Sequence, residues 1–214
     1  METTRGKVGF KVMTIHEDEL MQYFTPKLGD VVVDVGAHIG LYTLLAAKRV
    51  GIGGKVFEIE ADPANFEILI QNIKLNNLKN VRAFNYAAYS EQRQMNLYLR
   101  NSDLGFTKYS TVLQDLASAG DKSVLVRGNT LDSLVDQFDV NWIKIDVEGA
   151  ELEVLQRATR LLSNRKRLTI LIEVHDHQRS TPMLNQFAKL YEFKTKFQRV
   201  YKENESMHIV FQRR

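Results

Sequence analysis

The stretch VVVDVGAHIG, residues 31–40, joins a run of β-branched residues to an aspartate, two glycines and a histidine. The apolar run from Val31 to Val35 is typical of a parallel strand that is buried on both faces of a sheet. Gly36 and Gly40 follow it, and leucines then recur at helical spacing. Open α/β sheets bind their ligands where a strand ends in such a turn. We therefore expect a ligand site at this turn, close to Asp34.

The rest of the chain continues this alternation of strands and helices. Further strands are predicted at Lys55 to Glu60, Val81 to Ala87, Trp142 to Asp146 and Leu168 to Val174. The tail predicts two more strands, joined by a polar turn at Glu203 to Ser206. This order of elements predicts an α/β fold, doubly wound and Rossmann-like, whose mostly parallel sheet ends in an antiparallel hairpin.

Start signals and periodicity place the helices between these strands. Asp62 and Pro63 form one helix start, in which an N-cap acid precedes a ring preset to helical φ. Thr181 and Pro182 are expected to open the last helix. A single helix is predicted after the fourth strand from inward-facing residues at helical spacing, which are Leu152, Leu155, Ala158 and Leu162.

Length and composition bound the domain organisation. The 214 residues are 44% hydrophobic and 26% charged, which predicts a single domain over residues 1–214 with a substantial core. Residues 92–130 fit the alternation less well, although Met95 to Leu99 and Ser123 to Arg127 could form short strands. A long insertion beside a ligand crevice is either a substrate loop or a plain surface excursion.

Charge, cysteine content and hydropathy restrict the expected cellular location and binding partners of the protein. The chain has no cysteine, the first 20 residues lack an apolar segment of signal-peptide length, and no apolar run reaches the length of a membrane span. We therefore expect a cytoplasmic protein without a membrane partner. The net charge of +3 makes nucleic acid an unlikely partner. The cationic run Arg165 to Arg167 is attributed to a helix C-terminus, with a polyanion-binding patch as the alternative.

The chemistry of the turn distinguishes between two classes of ligand. Dinucleotide-binding turns use G-x-G-x-x-G, and the stretch from Gly36 to Gly40 does not match that spacing. A carboxylate at Asp34 would repel a pyrophosphate but would attract the sulfonium and ammonium groups of S-adenosylmethionine (SAM). Glu60 stands 20 residues past Gly40, at a strand end where an acid can bind both hydroxyls of a ribose. These residues favour SAM as the cofactor.

Three motifs together resemble the FkbM family of class I SAM-dependent methyltransferases. They are DVGAHIGLYTLLAAKRVG, FEIEADPANFEILIQNIKLNN and IKIDVEGAELEVLQRA, and the resemblance covers about residues 28–175. It implies a seven-stranded sheet with an antiparallel last strand, and O-methylation of a hydroxyl on a sugar-type or polyketide-type small molecule. The family commonly has a proline where this chain has Ala61. The resemblance does not identify the acceptor.

The expected cofactor site combines the turn with the ends of neighbouring strands. The stretch from Tyr86 to Ser90 carries no acid that could bind the adenine amino group, so backbone groups near Ala88 are expected to serve. His38 is expected to contact the ligand through its backbone. The predicted cofactor-binding residues are Asp34, Gly36, Ala37, His38, Gly40, Glu60, Ala61, Ala88 and Asp146.

The catalytic residues are expected at the carboxyl ends of the fourth and fifth strands. His175 is the simplest general base, because an unperturbed imidazole is largely neutral near pH 7. Asp146 is expected to orient the SAM ammonium or the acceptor, and Glu148 and Glu173 to bind acceptor hydroxyls or tune His175. Alternatively, Asp146, Glu173 and His175 could hold Mg²⁺ or another divalent ion. Glu151 and Glu153 are attributed to the first turn of a helix, where acids are favoured.

Other functions remain possible at this level. A class I methyltransferase acting on RNA or protein would share the SAM site, but the N-P-P-Y type motif of amino-group methyltransferases is absent after the fourth strand. A non-enzymatic SAM-binding regulator would not need the acids and histidine at the strand ends. An NAD-dependent reductase is disfavoured by Asp34 and by the glycine spacing. The favoured hypothesis is that the protein is an enzyme that methylates a hydroxylated small molecule.

Overall fold

The computed structural model describes residues 19–213 except residues 102–106, 119, 136, 165 and 202–205. Three features discussed above lie outside the described residues: the N-terminal segment, Arg165 of the cationic run, and most of the turn at 203–206. In the part of the chain that is described, no helix has the length and apolar character needed to cross a membrane.

Strands and helices alternate along most of the chain. In chain order the strands are β1 (Val31–Val35), β2 (Lys55–Ile59), β3 (Val81–Phe84), β4 (Ala87–Ala88), β5 (Arg93–Asn101), β6 (Thr107–Thr111), β7 (Lys122–Asn129), β8 (Trp142–Ile145), β9 (Leu168–Val174), β10 (Lys194–Tyr201) and β11 (Ser206–Arg213). The helices are α1 (Leu41–Val50), α2 (Pro63–Leu75), α3 (Leu131–Leu134), α4 (Glu151–Gln156), α5 (Thr159–Ser163) and α6 (His177–Leu190).

Seven of the strands form one twisted sheet in the order β10-β11-β9-β8-β1-β2-β3. The five strands from β9 to β3 are parallel, whereas β11 runs antiparallel to both of its neighbours. The predicted fold class is therefore confirmed, with β1 in the middle of the five parallel strands and the C-terminal hairpin at one edge. The carboxyl ends of β1, β2, β8 and β9 meet at one edge of the sheet, where ligands of open α/β folds bind.

The structure corrects three predicted boundaries. The predicted third strand ends at Phe84, because the next residues that pair, Ala87–Ala88, join a second sheet. The single helix predicted after β8 is two short helices, since the Asp132 carboxylate accepts bonds from the amides of Arg160 and Leu161 and caps α5 separately. The last helix begins at His177, capped by Asp176, so that Pro182 lies inside it.

The described part of residues 92–130 forms a small sheet of its own rather than an open loop. Its strand order is β4-β7-β5-β6, and both predicted short strands lie within β5 and β7. A small apolar cluster that includes Met95, Leu97 and Val126 holds it together. A short 3-10 turn after β6 brings Leu116 onto Gly149, where an added Cβ would lie 2.2 Å from Leu116 Cδ1. The second sheet therefore packs beside the carboxyl end of β8.

The central strands have one apolar face and one face with ionisable side chains. Asp34 on β1 is in register with Glu58 on β2 and with Lys144 on β8. Residues in register on parallel strands point to the same face. All three are buried, whereas the opposite face carries Val33, Val35 and other residues of the main core. A row of one lysine and two acids is thus enclosed beneath the ligand edge of the sheet.

Glu58 is an uncharged acid in this row. Burial, reinforced by the nearby Asp34 and Glu60 carboxylates, raises the pKa of Glu58 to about 9. Neither carboxylate oxygen of Glu58 has a hydrogen-bond partner among the described residues. An unpaired carboxylate would be costly to bury, so the side chain keeps its proton at neutral pH.

Glu58→Gln should stabilise the protein at alkaline pH. Folded Glu58 keeps its proton up to a pKa of about 9, whereas its unperturbed pKa is 4.5. The unfolded state therefore binds fewer protons between these values, so this residue lowers the free energy of unfolding as the pH rises. Glutamine has no proton to lose, and the variant should gain stability over the wild type as the pH rises from about 6 to about 8.

Urea denaturation of both proteins at each pH measures this difference. Glu67→Gln on the exposed face of α2 is the matched control, and its stability should follow that of the wild type at both pH values. Parallel pH profiles for the wild type and Glu58→Gln would show that Glu58 is ionised in the folded protein.

Candidate active site

The glycine turn is shaped by contact between two strand ends. Gly36 has a φ of 73°, and a Cβ added to it would lie 1.7 Å from the Asp146 carbonyl oxygen. The amides of Gly36 and Ala37 both donate to the Ile59 carbonyl at the end of β2. Gly36 is therefore required by the close approach of β1, β2 and β8, whether or not a ligand touches its backbone.

The amides of this turn are already used inside the protein. In addition to Gly36 and Ala37, the amide of His38 donates to Glu60 Oε2 at 2.8 Å, and the amide of Gly40 donates to the Ala37 carbonyl. A pyrophosphate bound at a glycine-rich turn needs such amides to point at the ligand. Their internal bonds argue against a dinucleotide at this position.

Glu60 lies at the end of β2 beside the turn, as predicted. Its side chain is buried, its Oε1 accepts from the amide of Asp62 at 2.8 Å and its Oε2 from His38. Burial raises the pKa of Glu60 to about 7, although these two amide bonds oppose the shift. Asn85 donates to the carbonyls of Glu60 and Ala61. Glu60 and Ala61 are thus fixed against the turn.

Ala88 lies farther along the chain, in the second sheet. It is buried on β4, where it pairs with Asn129. The amide of the next residue, Tyr89, donates to the Asn129 carbonyl. The backbone position of Ala88 is therefore set by pairing with β7. The sequence pattern had instead placed Ala88 directly after β3.

Asp34 faces partners within the protein. Its Oδ2 accepts from the Thr43 hydroxyl at 2.6 Å, and its Oδ1 lies 4.0 Å from Lys144 Nζ. Burial raises the pKa of Asp34, while Lys144 and Thr43 act in the opposite direction. The protein itself therefore supplies a positive charge next to Asp34. A cationic ligand at Asp34 would have to share this carboxylate with that charge.

Lys144 is a site residue that the sequence reasoning missed. Its ammonium group donates to Asp146 Oδ2 at 3.1 Å and to the Gly36 carbonyl at 3.3 Å, and it lies over the ring of Tyr42. Although burial acts to lower the pKa of Lys144, the Asp146 and Asp34 carboxylates raise it above its usual value. The signal was present in the sequence, since Lys144 interrupts the otherwise apolar strand WIKI.

Four carboxylates surround the imidazole of His175. Nε2 lies 3.2 Å from Glu148 Oε2 and 3.9 Å from both Asp146 Oδ1 and Glu173 Oε1. On the other side of the ring, Nδ1 lies 2.9 Å from Oε1 of the buried Glu151. The structure therefore brings together all four predicted catalytic residues at the ends of β8 and β9, and adds Glu151.

This cluster changes the expected protonation of His175. Burial acts to lower its pKa, but the bond to Glu151 and the charges of Glu148 and Asp146 outweigh burial and raise the pKa to about 10. Burial raises the pKa of Glu148 to about 8. The unperturbed, largely neutral imidazole assumed from the sequence is therefore wrong for this environment. Glu148 and His175 interact so closely that they titrate as a pair.

Glu151 has a second role beyond the helix terminus to which the sequence assigned it. Its Oε1 does accept from the amide of Gly149, as an acid in a first helical turn can. The same oxygen meets His175 Nδ1, a residue 24 positions further along the chain. A carboxylate on Nδ1 orients the ring so that Nε2 faces the cluster. Glu153, in contrast, bonds to Arg179 on α6.

A pocket of about 110 Å³ lies next to the His175 cluster. Its lining combines the second sheet and its following turn with the ends of β8 and β9, and consists of Tyr98, Ser110, Thr111, Leu116, Asp121, Glu148 and His175. Three hydroxyl groups and two carboxylates are among these side chains. Such a lining suits a ligand with several hydrogen-bonding groups.

The cluster also has the composition of a cation site. Ligand atoms of Asp146, Glu148 and His175 lie within 4.8 Å of one another. The sequence considered Glu173 in place of Glu148, and the structure places Glu173 3.9 Å from the imidazole and 3.6 Å from His208. These residues can hold either protons or a cation.

Comparisons with known proteins agree with the fold. Residues 34–200 match the family model for the methyltransferase FkbM domain. The solved methyltransferase FkbM from Methylobacillus flagellatus KT has a TM-score of 0.61 and 20% identity, covering 89% of this chain and 45% of that chain. A putative rRNA-methylase from Clostridium thermocellum has a TM-score of 0.62 and 12% identity, covering 95% and 98%.

Two further similarities are more distant or partial. Aeropyrum pernix fibrillarin, solved with natively bound S-adenosyl-L-methionine, has a TM-score of 0.52 and 11% identity, covering 86% of this chain and 67% of that chain. Retinol dehydrogenase 12 of Bos taurus is 27% identical over an alignment of 96 residues, and the match covers 38% of this chain and 30% of the bovine protein. The chain thus spans less than half the length of the bovine relative and of the Methylobacillus structure. The structural matches indicate a shared fold.

Gly36→Ala should destabilise the protein by at least ~2 kcal/mol, because a side chain at positive φ would also meet the Asp146 carbonyl. Gly53→Ala is the matched control, since an added Cβ there meets no atom within 4 Å and should change stability little. Chemical denaturation followed by circular dichroism measures both effects. Equal midpoints for the two variants would show that the β1 and β8 ends can separate without cost.

Proposed function

Because the chain belongs to the FkbM methyltransferase family, we propose that it is a SAM-dependent methyltransferase that transfers the methyl group of SAM to a hydroxyl group of a small-molecule acceptor. The observation that carries this proposal is the pocket in which Glu148 and His175 face the hydroxyl-rich lining of the second sheet. A proton-accepting pair beside a polar pocket suits an acceptor that must lose a proton as it is methylated.

The cofactor is proposed to lie along the glycine turn and the end of β2. Each Glu60 oxygen accepts one backbone amide, and an ionised carboxylate has about two acceptor sites on each oxygen. The remaining sites can receive the two ribose hydroxyls. Gly36, Ala37, His38 and Gly40 would then border the ligand, while Ala61 and the backbone at Ala88 would lie on its adenine side.

The acceptor is proposed to occupy the pocket between the two sheets. Tyr98, Ser110 and Thr111 offer hydroxyls, and Asp121 and Glu148 offer carboxylates, as partners for acceptor hydroxyls. Asp146 and Glu173 lie behind Glu148 around the imidazole. In this arrangement Asp146 orients the SAM ammonium, and Glu173 maintains the negative field that tunes His175.

Transfer itself is an in-line displacement at the methyl carbon. Bound SAM would supply the methyl group: the acceptor oxygen would bond to the methyl carbon as the bond between carbon and sulfur breaks, and the sulfonium would leave as a neutral thioether. The protein mainly aligns the three atoms, since the sulfonium is already a good leaving group. The proton of the acceptor hydroxyl passes to the Glu148–His175 pair, which Glu151 holds in place through Nδ1.

The pair must lose one proton before it can accept another. With the pKa of Glu148 near 8 and that of His175 near 10, it is fully protonated at low pH and carries one proton between these values. The singly protonated pair is the form that can accept a proton from the acceptor. An alkaline rather than neutral operating range follows from this arrangement.

Methyl transfer to hydroxylated small molecules tests the proposed function directly. The purified protein is incubated with methyl-labelled SAM and, in separate reactions, a panel of sugars and phenols, total RNA, and denatured protein. Label is expected on an oxygen atom of a small molecule, identified by mass spectrometry. Label on RNA or protein instead would support the rival macromolecular acceptors, and SAM binding without transfer to any acceptor would support a regulator.

His175→Ala should reduce turnover by ~10²-fold or more while leaving SAM affinity nearly unchanged, because His175 acts after the cofactor has bound. In the wild type, turnover should rise with pH through a pKa of about 8, and Glu148→Gln should move or remove that rise. His177→Ala, two residues further along at the start of α6, is the control and should keep wild-type activity.

Chelation separates this scheme from a cation at Asp146, Glu148 and His175. EDTA should leave wild-type turnover unchanged, since proton transfer to the pair needs no metal. Loss of activity in EDTA with recovery on adding Mg²⁺ or Mn²⁺ would replace the scheme with metal-assisted deprotonation. Full activity in His175→Ala would contradict both schemes.

A further inference from the structure

The amino-acid end of SAM carries two opposite charges, and a site that encloses it must provide a partner for each of them. An unpaired ion is expensive to bury, whereas a paired and hydrogen-bonded ion is tolerated. Asp146, at the end of β8, offers a carboxylate to the ammonium group. The carboxylate group of SAM requires either a cation or several N–H donors at the same place.

The amides of the glycine turn do not meet this need. Those of Gly36 and Ala37 donate to the Ile59 carbonyl, that of His38 to Glu60, and that of Gly40 to the Ala37 carbonyl. A turn whose amides are committed to the fold cannot act as an anion-binding nest. These four amides are committed to the fold, and a side-chain cation at the turn is the alternative partner for the carboxylate.

We propose that the Lys144 ammonium group receives the carboxylate group of SAM, an inference that rests on the proposed function. Lys144 Nζ lies 3.3 Å from the Gly36 carbonyl and 3.1 Å from Asp146 Oδ2. It is thus next to both the turn and the acid that would take the SAM ammonium. An ammonium has three donors, which can redistribute among these acceptors and a ligand.

Binding would exchange one arrangement of ion pairs for another. In this structure Lys144 is paired with Asp146 and lies 4.0 Å from Asp34. When the two charges of the SAM amino-acid group arrive, Asp146 pairs with the ligand ammonium and Lys144 pairs with the ligand carboxylate. Asp34, which accepts a hydrogen bond from the Thr43 hydroxyl, remains 4.0 Å from the Lys144 ammonium. Every buried charge retains an opposite partner, so binding leaves no ion uncompensated.

The test uses two ligands that differ only in the carboxylate. S-adenosylhomocysteine has both charges of the amino-acid group, whereas its decarboxylated analogue keeps the ammonium, the sulfur and the adenosine. Calorimetric titration measures both ligands on the wild type and on Lys144→Met, a variant of similar length without the charge. Lys79→Met, an exposed lysine after α2, is the matched control and should bind as the wild type does.

The wild type should bind S-adenosylhomocysteine at least ~10-fold more tightly than the decarboxylated analogue. Lys144→Met should lose that factor for S-adenosylhomocysteine and change affinity for the analogue by no more than ~2-fold. Equal losses for both ligands would show that Lys144 acts through Asp146 or through the fold, and would overturn the proposal.

The wild-type comparison can overturn the proposal even if Lys144→Met does not fold. Equal affinity of the wild type for the two ligands would overturn the assignment of Lys144 alone. Failure of the wild type to bind either ligand would instead refute the proposed cofactor site, and this inference with it.

Discussion

The enclosed charges on one face of the central sheet are the constraint on which the site depends. Lys144 is buried, and its ammonium reaches Asp146, the Gly36 carbonyl and the neighbourhood of Asp34. Each contact lies on a different turn or strand end, so a single cation ties the end of β8 to the glycine turn after β1. Without it, the buried Asp34 and the half-buried Asp146 would lie on neighbouring strands without a compensating cation. The geometry of the ligand edge follows from this pairing.

Close backbone approach complements that charge network. A Cβ at Gly36 would overlap the Asp146 carbonyl, and one at Gly149 would overlap Leu116 in the turn that follows β6 of the second sheet. Both glycines have positive φ, which they adopt without the strain that a side chain would bring. The first brings the turn against β8, and the second brings the small sheet against the same strand end. The pocket therefore arises where two tight contacts converge, with residues of the second sheet forming much of its lining.

Acid–base behaviour at the site follows from crowding rather than from any single residue. His175 is held between Glu151 on one ring nitrogen and three carboxylates near the other. Negative charge on both sides favours the imidazolium, whereas burial of Glu148 favours its neutral acid. These opposing shifts make the pair, rather than the histidine alone, the unit that exchanges protons. Glu151, which the sequence pattern assigned to a helix terminus, fixes the orientation of the imidazole.

The sequence by itself determined the fold class, the alternation of strands and helices and the acids at the ends of the central strands, because apolar runs, glycine turns and caps act through neighbours along the chain. It located Asp34, Glu60, Asp146, Glu148, Glu173 and His175 at the ligand edge, and the structure gathers the last four into one cluster. Only the tertiary structure decided what these residues touch and which protons they hold. Lys144 and Gly36 are 108 positions apart, and His175 and Glu151 are 24 apart. Burial and electrostatic shifts depend on distances between such remote residues, which local sequence patterns do not encode.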